Sequence, residues 1–256
     1  MSTKVAIVTG ASQGIGRSTA IRLARDFDSI VLVARNRANL EETASMVEQA
    51  GAKTLTLDIN LSQPDAAQEV VDGALAAFGR IDALLNIAGA VPQIDLFDMT
   101  DEQWDAGLAL KLHGARRLTV AAWASLKATS GSVVLMSGNS ALFPKAPYAA
   151  VGTINAAIVA LAKAFSDRGI ADGVQVNSVL PGPVMTGRRR SYLEHWAPLH
   201  DMTVEEATAR FPVEAGIARY GTPEEIAELM AFLVSPAAKW MTGSTLRMDG
   251  GEVKSI

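Results

Sequence analysis

Apolar positions along this chain alternate between two patterns. Short runs rich in β-branched residues and leucine occur at 5–8, 29–34, 53–57, 81–85, 132–136, 174–179 and 244–248. Between them, segments 17–25, 39–50, 65–78, 101–127, 148–168 and 223–233 carry apolar residues at helical spacing. The short runs are mostly apolar throughout, without strict alternation, which is the pattern of strands buried on both faces. Strand and helix taking turns implies βαβ units joined by right-handed crossovers. The expected architecture is α/β, a doubly wound, mostly parallel seven-stranded sheet with helices on both faces. No internal repeat and no linker rich in Pro, Gly or Ser interrupts it, so residues 1–256 read as one domain. Ligands of such sheets bind beyond the carboxyl ends of the strands, so the residues that follow each strand are the informative ones.

After the first run comes Thr9-Gly10-Ala11-Ser12-Gln13-Gly14-Ile15-Gly16, followed by a helical segment with Ala20, Ile21 and Ala24 on one side. A strand, a glycine turn and a helix start make a dinucleotide phosphate site of the Rossmann-like kind. Glycine lets the backbone turn tightly and approach phosphate oxygens, and the helix N-terminus offers free N–H groups and a partial positive charge. The candidates are Gly10, Ser12, Gln13, Gly14, Ile15 and Gly16. Their glycines lie four and two apart, not in the commoner G-x-G-x-x-G spacing, so an ordinary strand-to-helix turn is the alternative. After the second run, Arg35-Asn36-Arg37 stands where an acid would accept from a ribose 2′-OH. Arginines there suit a 2′-phosphate, so Arg35 and Arg37 favour NADP(H), with NAD(H) the alternative and a solvated helix start the plain explanation. After the third run, Asp58-Ile59 places a carboxylate to accept from an adenine amino group or to cap the next turn. After the fourth, Asn86-Ile87-Ala88-Gly89 has small residues that let backbone pass close to a cofactor.

Composition narrows the partners. A net charge of −4 gives no reason to expect nucleic acid or an anionic membrane. The absence of cysteine excludes disulfides and thiolate metal sites, and His195 and His200 have no acid at ligand spacing, so no metal is expected. No run of about 18 apolar residues stands out, and Met1-Ser2-Thr3-Lys4 leads straight into the first strand. The expectation is a cytoplasmic protein with neither a nucleic-acid nor a membrane partner.

Thr9-Gly10-x-x-x-Gly14-x-Gly16, Asn86-x-Ala88-Gly89, Tyr148, Asn177-x-Val179-x-Pro181-Gly182-x-x-x-Thr186 and Asp249-Gly250-Gly251, in this order, resemble the short-chain dehydrogenase/reductase family in its single-domain form. The resemblance runs from about residue 4 to 252. It implies an NAD(P)(H)-dependent oxidoreductase acting on a small carbonyl or alcohol, with NADPH preferred on the strength of the arginines. It places Pro181, Gly182, Val184 and Thr186 at the nicotinamide end of the cofactor, and Asp58, Ile59, Asn86, Ala88 and Gly89 along the adenosine side. It further implies a substrate lid at about 187–220 and a homotetramer or homodimer formed through the two long helices.

The family's catalytic set is Asn, Ser, and Tyr followed four residues later by Lys, and this chain departs from it. Tyr148 stands as the acid/base, but Gly152 takes the lysine's place, and Lys111, seven residues beyond Trp104, takes the asparagine's. Ser140, with Ser137 as the alternative, is the holder of the substrate oxygen. The loop leading to Tyr148 is about three residues shorter than usual. Lys111 falls on the stripe of Trp104, Gly107, Leu108, Ala115 and Leu118, so it is expected to point inward. A buried lysine is costly unless paired or functional. The expectation is that Lys111 reaches into the space left by Gly152 and supplies the charge that favours the phenolate of Tyr148. The alternatives are a lysine whose stem lies on apolar surface while its head reaches water, and Lys145 in its role.

In the lid, Arg188-Arg189-Arg190 can attract an anionic substrate or form a solvated surface. Loss of the helix-borne lysine keeps two other functions open. One is a dinucleotide-binding protein with little hydride transfer, serving as a sensor or assembly component. The other is a non-redox enzyme on the same fold.

Overall fold

The computed structural model describes residues 3–255. Seven strands, β1 (Val5–Thr9), β2 (Ser29–Ala34), β3 (Lys53–Asp58), β4 (Ala83–Asn86), β5 (Ser132–Met136), β6 (Gln175–Pro181) and β7 (Thr245–Met248), form one sheet in the order β3-β2-β1-β4-β5-β6-β7. Every neighbouring pair is parallel. The order reverses between β1 and β4, and the crevice beyond their carboxyl ends is the topological switch point.

Both faces of the sheet are covered, and β1 shows how. Val5 and Ile7 join one core with Val31, Val33, Leu84 and Leu135, while Ala6 and Val8 join the other with Ile30, Leu32, Leu85 and Val134. Successive side chains of a strand point to opposite faces, so a strand packed on both sides must be apolar at every position. Helices α1 (Gly14–Leu23), α2 (Arg37–Gln49) and, late in the chain, α9 (Pro223–Leu233) supply the second core. Helix α3 (Ala66–Phe78), the long segment from Asp101 to Thr129 and α6 (Ala149–Asp172) supply the first.

The long segment is not one α-helix. It runs as α4 (Asp101–Gly107), a π-helical stretch Leu108–Gly114, and α5 (Ala115–Thr129). Gly114 lies where an added Cβ would meet the Leu61 carbonyl oxygen at 2.8 Å, so the chain passes very close to the loop after β3. Helices α7 (Gly187–Trp196) and α8 (Val204–Ala215) occupy the segment expected as a lid. They enclose a small core of their own, Leu193, Ala197, Ala207 and Tyr220, flanked by Trp196, Met202 and Phe211.

The helical stretch Ala146–Asp172 has a mean hydropathy of 1.5 in its most apolar window and by length and composition could cross a membrane, though polar residues interrupt it. Its apolar character has a packing cause. Ala150, Ile154, Ile158 and Ala162 are buried, and the helix lies against β5 and β6.

Candidate active site

The glycine loop folds as a phosphate cradle requires. Gly10 and Gly14 have φ of +67° and +55°, which side chains of L-residues rarely adopt. A Cβ at Gly16 would stand 2.1 Å from the Gly10 carbonyl oxygen, so α1 can start there only as glycine. Helix α1 begins at Gly14, three residues earlier than the apolar spacing suggests, and its N-terminus has neither a side-chain cap nor an acid in the first turn. By contrast α4, α8 and α9 each carry a full capping box with acids in the first turn. The first N–H groups of α1 are thus left open toward a cleft of about 620 Å³. Thr9 ties the cradle to the next strand end, accepting the N–H groups of Ile87 and Ala88 at 2.9 Å each.

Gly10, Ser12, Gln13, Gly14, Ile15, Gly16, Arg35, Ile59, Ala88, Gly89 and Thr186 all line this cleft. The other expected cofactor residues lie elsewhere. Arg37 points outward and pairs with Glu41 at 3.0 Å. Asp58 ends β3 outside the lining. Asn86 is buried and donates to Thr119 Oγ1 at 3.1 Å, which makes its side chain a brace between β4 and α5. Pro181 and Gly182 line the neighbouring cavity, and Val184 is buried with its backbone bridged to Gly221. Arg188, expected only as part of the lid, lines the cleft and donates to the Gly89 carbonyl at 3.0 Å. Desolvation and then the positive charge of Arg35 lower its pKa.

The second cavity, of about 540 Å³, holds Ser140, Tyr148, Asn155, Arg189, Tyr192 and Glu252. It adjoins the cleft, since the consecutive residues Arg188 and Arg189 line one each. Tyr148 stands at the start of α6, as expected. Burial, the nearby Glu252 carboxylate and Tyr192 together push its phenol above the usual tyrosine range. The hydroxyl therefore holds its proton at neutral pH, the opposite of the shift expected from a lysine partner. Glu252 is itself held by Asn139 Nδ2 at 2.5 Å.

Lys111 points inward, as its stripe requires, but not toward Gly152. A Cβ at Gly152 would meet Pro144 Cβ at 2.9 Å and the Ser140 carbonyl oxygen at 3.0 Å. The loop 140–144 presses on α6 there and leaves no space for a lysine head. The lysine stem instead runs past Gly89, whose missing side chain gives it room. Its ammonium donates to Asn155 Oδ1 at 2.5 Å and to the Ser137 carbonyl at 3.3 Å. Desolvation, and secondarily Arg188, lower its pKa to about 8. Asn155 was not legible as a site residue. It lies one turn beyond Gly152 on the face of α6 that meets Ser137 and Ser140.

Ser137 and Ser140 separate cleanly. The Ser137 hydroxyl donates to the Asn155 backbone carbonyl at 2.7 Å, while Ser140 Oγ accepts from Asn155 Nδ2 at 2.9 Å and lines the cavity. The arginine run is divided too. Arg190 is exposed. Arg189 lies over the rings of Phe211, Tyr192 and Tyr220, at 4.1, 5.2 and 5.5 Å, and its buried Nε and Nη2 have no hydrogen-bond partner among the described residues. Lys145 lies 5.8 Å over the Phe143 ring at the cavity wall. No group of three or more metal-ligating side chains occurs among the described residues.

A family model described as enoyl-(acyl carrier protein) reductase matches residues 10–252. The chain belongs to the short-chain dehydrogenase/reductase family. The short-chain reductase protein NovJ of Streptomyces niveus is 30% identical over 247 residues, 96% of this chain and 93% of that one. L-Sorbose reductase from Gluconobacter frateurii, solved with NADPH and L-sorbose, superposes with a TM-score of 0.95 at 28% identity, covering 100% of this chain and 98% of its own. NAD⁺-bound xylitol dehydrogenase superposes at 0.90 and 27% identity, covering 97% and 98%. As a member of the family the chain is a nicotinamide-dinucleotide-dependent oxidoreductase.

Proposed function

We propose that this protein is an NADPH-preferring carbonyl reductase, working reversibly as an alcohol dehydrogenase, with Tyr148 as proton donor and Ser140 as holder of the substrate oxygen. The observation that carries this reading is the pairing of an uncapped glycine-loop cleft with an adjoining cavity that presents two hydroxyl donors. NADPH, when bound, supplies the hydride. Gly10, Gly14 and Gly16 admit its pyrophosphate, and Arg35, with Arg188 facing it, suits the 2′-phosphate. Ser140 and Tyr148 meet the carbonyl oxygen, and the Tyr148 phenol, protonated at neutral pH, gives its proton to the developing alkoxide. Arg189 lines the wall of the same cavity, and its positive charge suits a carbonyl substrate bearing a carboxylate or phosphate. The lid at about 187–220 covers that substrate, and the protein works in the cytoplasm as a homodimer or homotetramer.

Initial rates with a panel of acidic and neutral carbonyls test this reading. NADPH is expected to outperform NADH, and Arg35→Ala to remove most of that preference. Arg189→Ala is expected to raise KM for acidic carbonyls about tenfold or more and to spare neutral ones. Equal use of NADH by the wild-type protein contradicts the cofactor assignment. A second reading, a dinucleotide-binding protein with little turnover, is favoured by one observation. The groups that shift Tyr148 are a carboxylate and a phenol, not a cation. Tight NADPH binding without oxidation on any carbonyl supports it.

A further inference from the structure

Lys111, Asn155 and Ser140 form a chain of hydrogen bonds whose direction is fixed by chemistry. A lysine ammonium can only donate, so the amide oxygen of Asn155 must face it, as the 2.5 Å contact to Oδ1 shows. The amide nitrogen of Asn155 then has to face the other way, and it donates to Ser140 Oγ at 2.9 Å. Having accepted that bond, Ser140 keeps its own O–H for another acceptor, and Ser140 lines the substrate cavity. Two glycines make the chain feasible. A Cβ at Gly138 would meet Asn155 Nδ2 at 2.6 Å, and one at Gly89 would meet the Lys111 stem at 3.0 Å. Ser137 donates to the Asn155 backbone carbonyl and holds that turn of α6 in place.

We infer that Asn155 is a positioning residue that, locked in one orientation by Lys111, sets the Ser140 hydroxyl as a hydrogen-bond donor to the substrate oxygen. This rests on the reductase reading above. It gives the inward lysine a role other than acting on Tyr148: its charge reaches the substrate oxygen through an amide and a hydroxyl. The arrangement recognises an oxygen that can accept, a carbonyl or a developing alkoxide.

Asn155→Asp tests the inference with almost no change of shape. An aspartate satisfies Lys111 but can only accept, so the Ser140 hydroxyl turns toward it and is withdrawn from the cavity. The expected result is a fall in kcat on the order of 10²-fold, with NADPH affinity and KM little changed. Ser140→Ala is expected to lose a similar factor, and Ser140→Ala/Asn155→Asp no more than either alone. Lys111→Met frees the amide to rotate, so it is expected to lower kcat in the wild-type background and to have no effect in the Ser140→Ala background. That second cycle serves if Asn155→Asp proves unstable. Wild-type kcat in Asn155→Asp, or losses that multiply in either double variant, overturns the inference alone. Absence of turnover by the wild-type protein on every carbonyl overturns the reductase reading and this inference with it.

Discussion

At the residue scale, Lys111 concentrates the unusual chemistry of this chain. A stripe of apolar positions places it on the buried side of its helix, and the structure puts its ammonium between Asn155 and Ser137. Its partner was not legible, because it depends on how closely loop 140–144 packs on α6 at Gly152, a tertiary distance that residue spacing does not encode. The glycine loop lies at the other extreme: Gly10, Gly14 and Gly16 were readable because each answers a local demand of positive φ or close approach. Burial of the lysine has a consequence for stability. Its folded pKa is lowered to about 8, against about 10.4 in an unfolded chain. Between those values the unfolded chain binds more protons, so stability rises with pH across about 8 to 10.4, by up to about 3 kcal/mol. Urea unfolding of the wild-type protein at pH 7.5 and 10 is expected to show this rise, and Lys111→Met to lack it. The same slope in both proteins assigns it to other groups.

At the element scale, the strands and most helices were legible because a parallel sheet covered on both faces demands continuous apolar runs, and these are rare elsewhere in the chain. The discrepancies have local causes. Helix α1 starts at Gly14 because the last glycines of the loop form its first turn. Strand β4 starts at Ala83 because Asp82 turns its carboxylate to the Val5 N–H and to Arg80. The π-helical stretch 108–114 was not legible, since its widened turn answers tertiary packing around Gly107 and Gly114. Helix α7 was missed although its cap, Thr186 accepting from the Arg189 N–H, was readable, and its register explains why Arg188 and Arg189 face different sites. The far ends of α5 and α6 are joined at Asp172, where Lys127, Trp123 and Arg168 all donate to one carboxylate and hold its pKa well below the usual range. A carboxylate with a depressed folded pKa stabilises above its unfolded pKa, near 4, and loses that contribution as the pH falls through the folded value. Asp172→Ala is expected to lower Tm at pH 7, with the gap to wild type closing in strong acid. A gap that does not change with pH assigns the loss to packing instead.

At the scale of the whole molecule, one sheet reversal places the pieces from distant parts of the sequence. The glycine loop follows β1, the cleft wall comes from the ends of β2 and β4, and Ser140 and Tyr148 come from the segment between β5 and α6. Helices α7 and α8 carry their own apolar cluster apart from the two sheet cores, while Arg188 at the start of α7 ties them to the cleft through the Gly89 carbonyl. The cofactor side was legible from the sequence because backbone geometry and glycine make it. The substrate side was legible only as a set of departures, because its chemistry rests on side chains that meet across 15 to 44 residues, as the Asn155–Ser140 and Lys111–Asn155 contacts do. The most direct measurement is single-turnover oxidation of bound NADPH by a carbonyl panel, in the wild-type protein and in Tyr148→Phe, with NADPH affinity measured alongside. The expected result is hydride transfer by the wild-type protein and a loss on the order of 10²- to 10⁴-fold in Tyr148→Phe at unchanged NADPH affinity. Tight NADPH binding with no oxidation on any carbonyl, or an undiminished rate in Tyr148→Phe, contradicts the reductase reading.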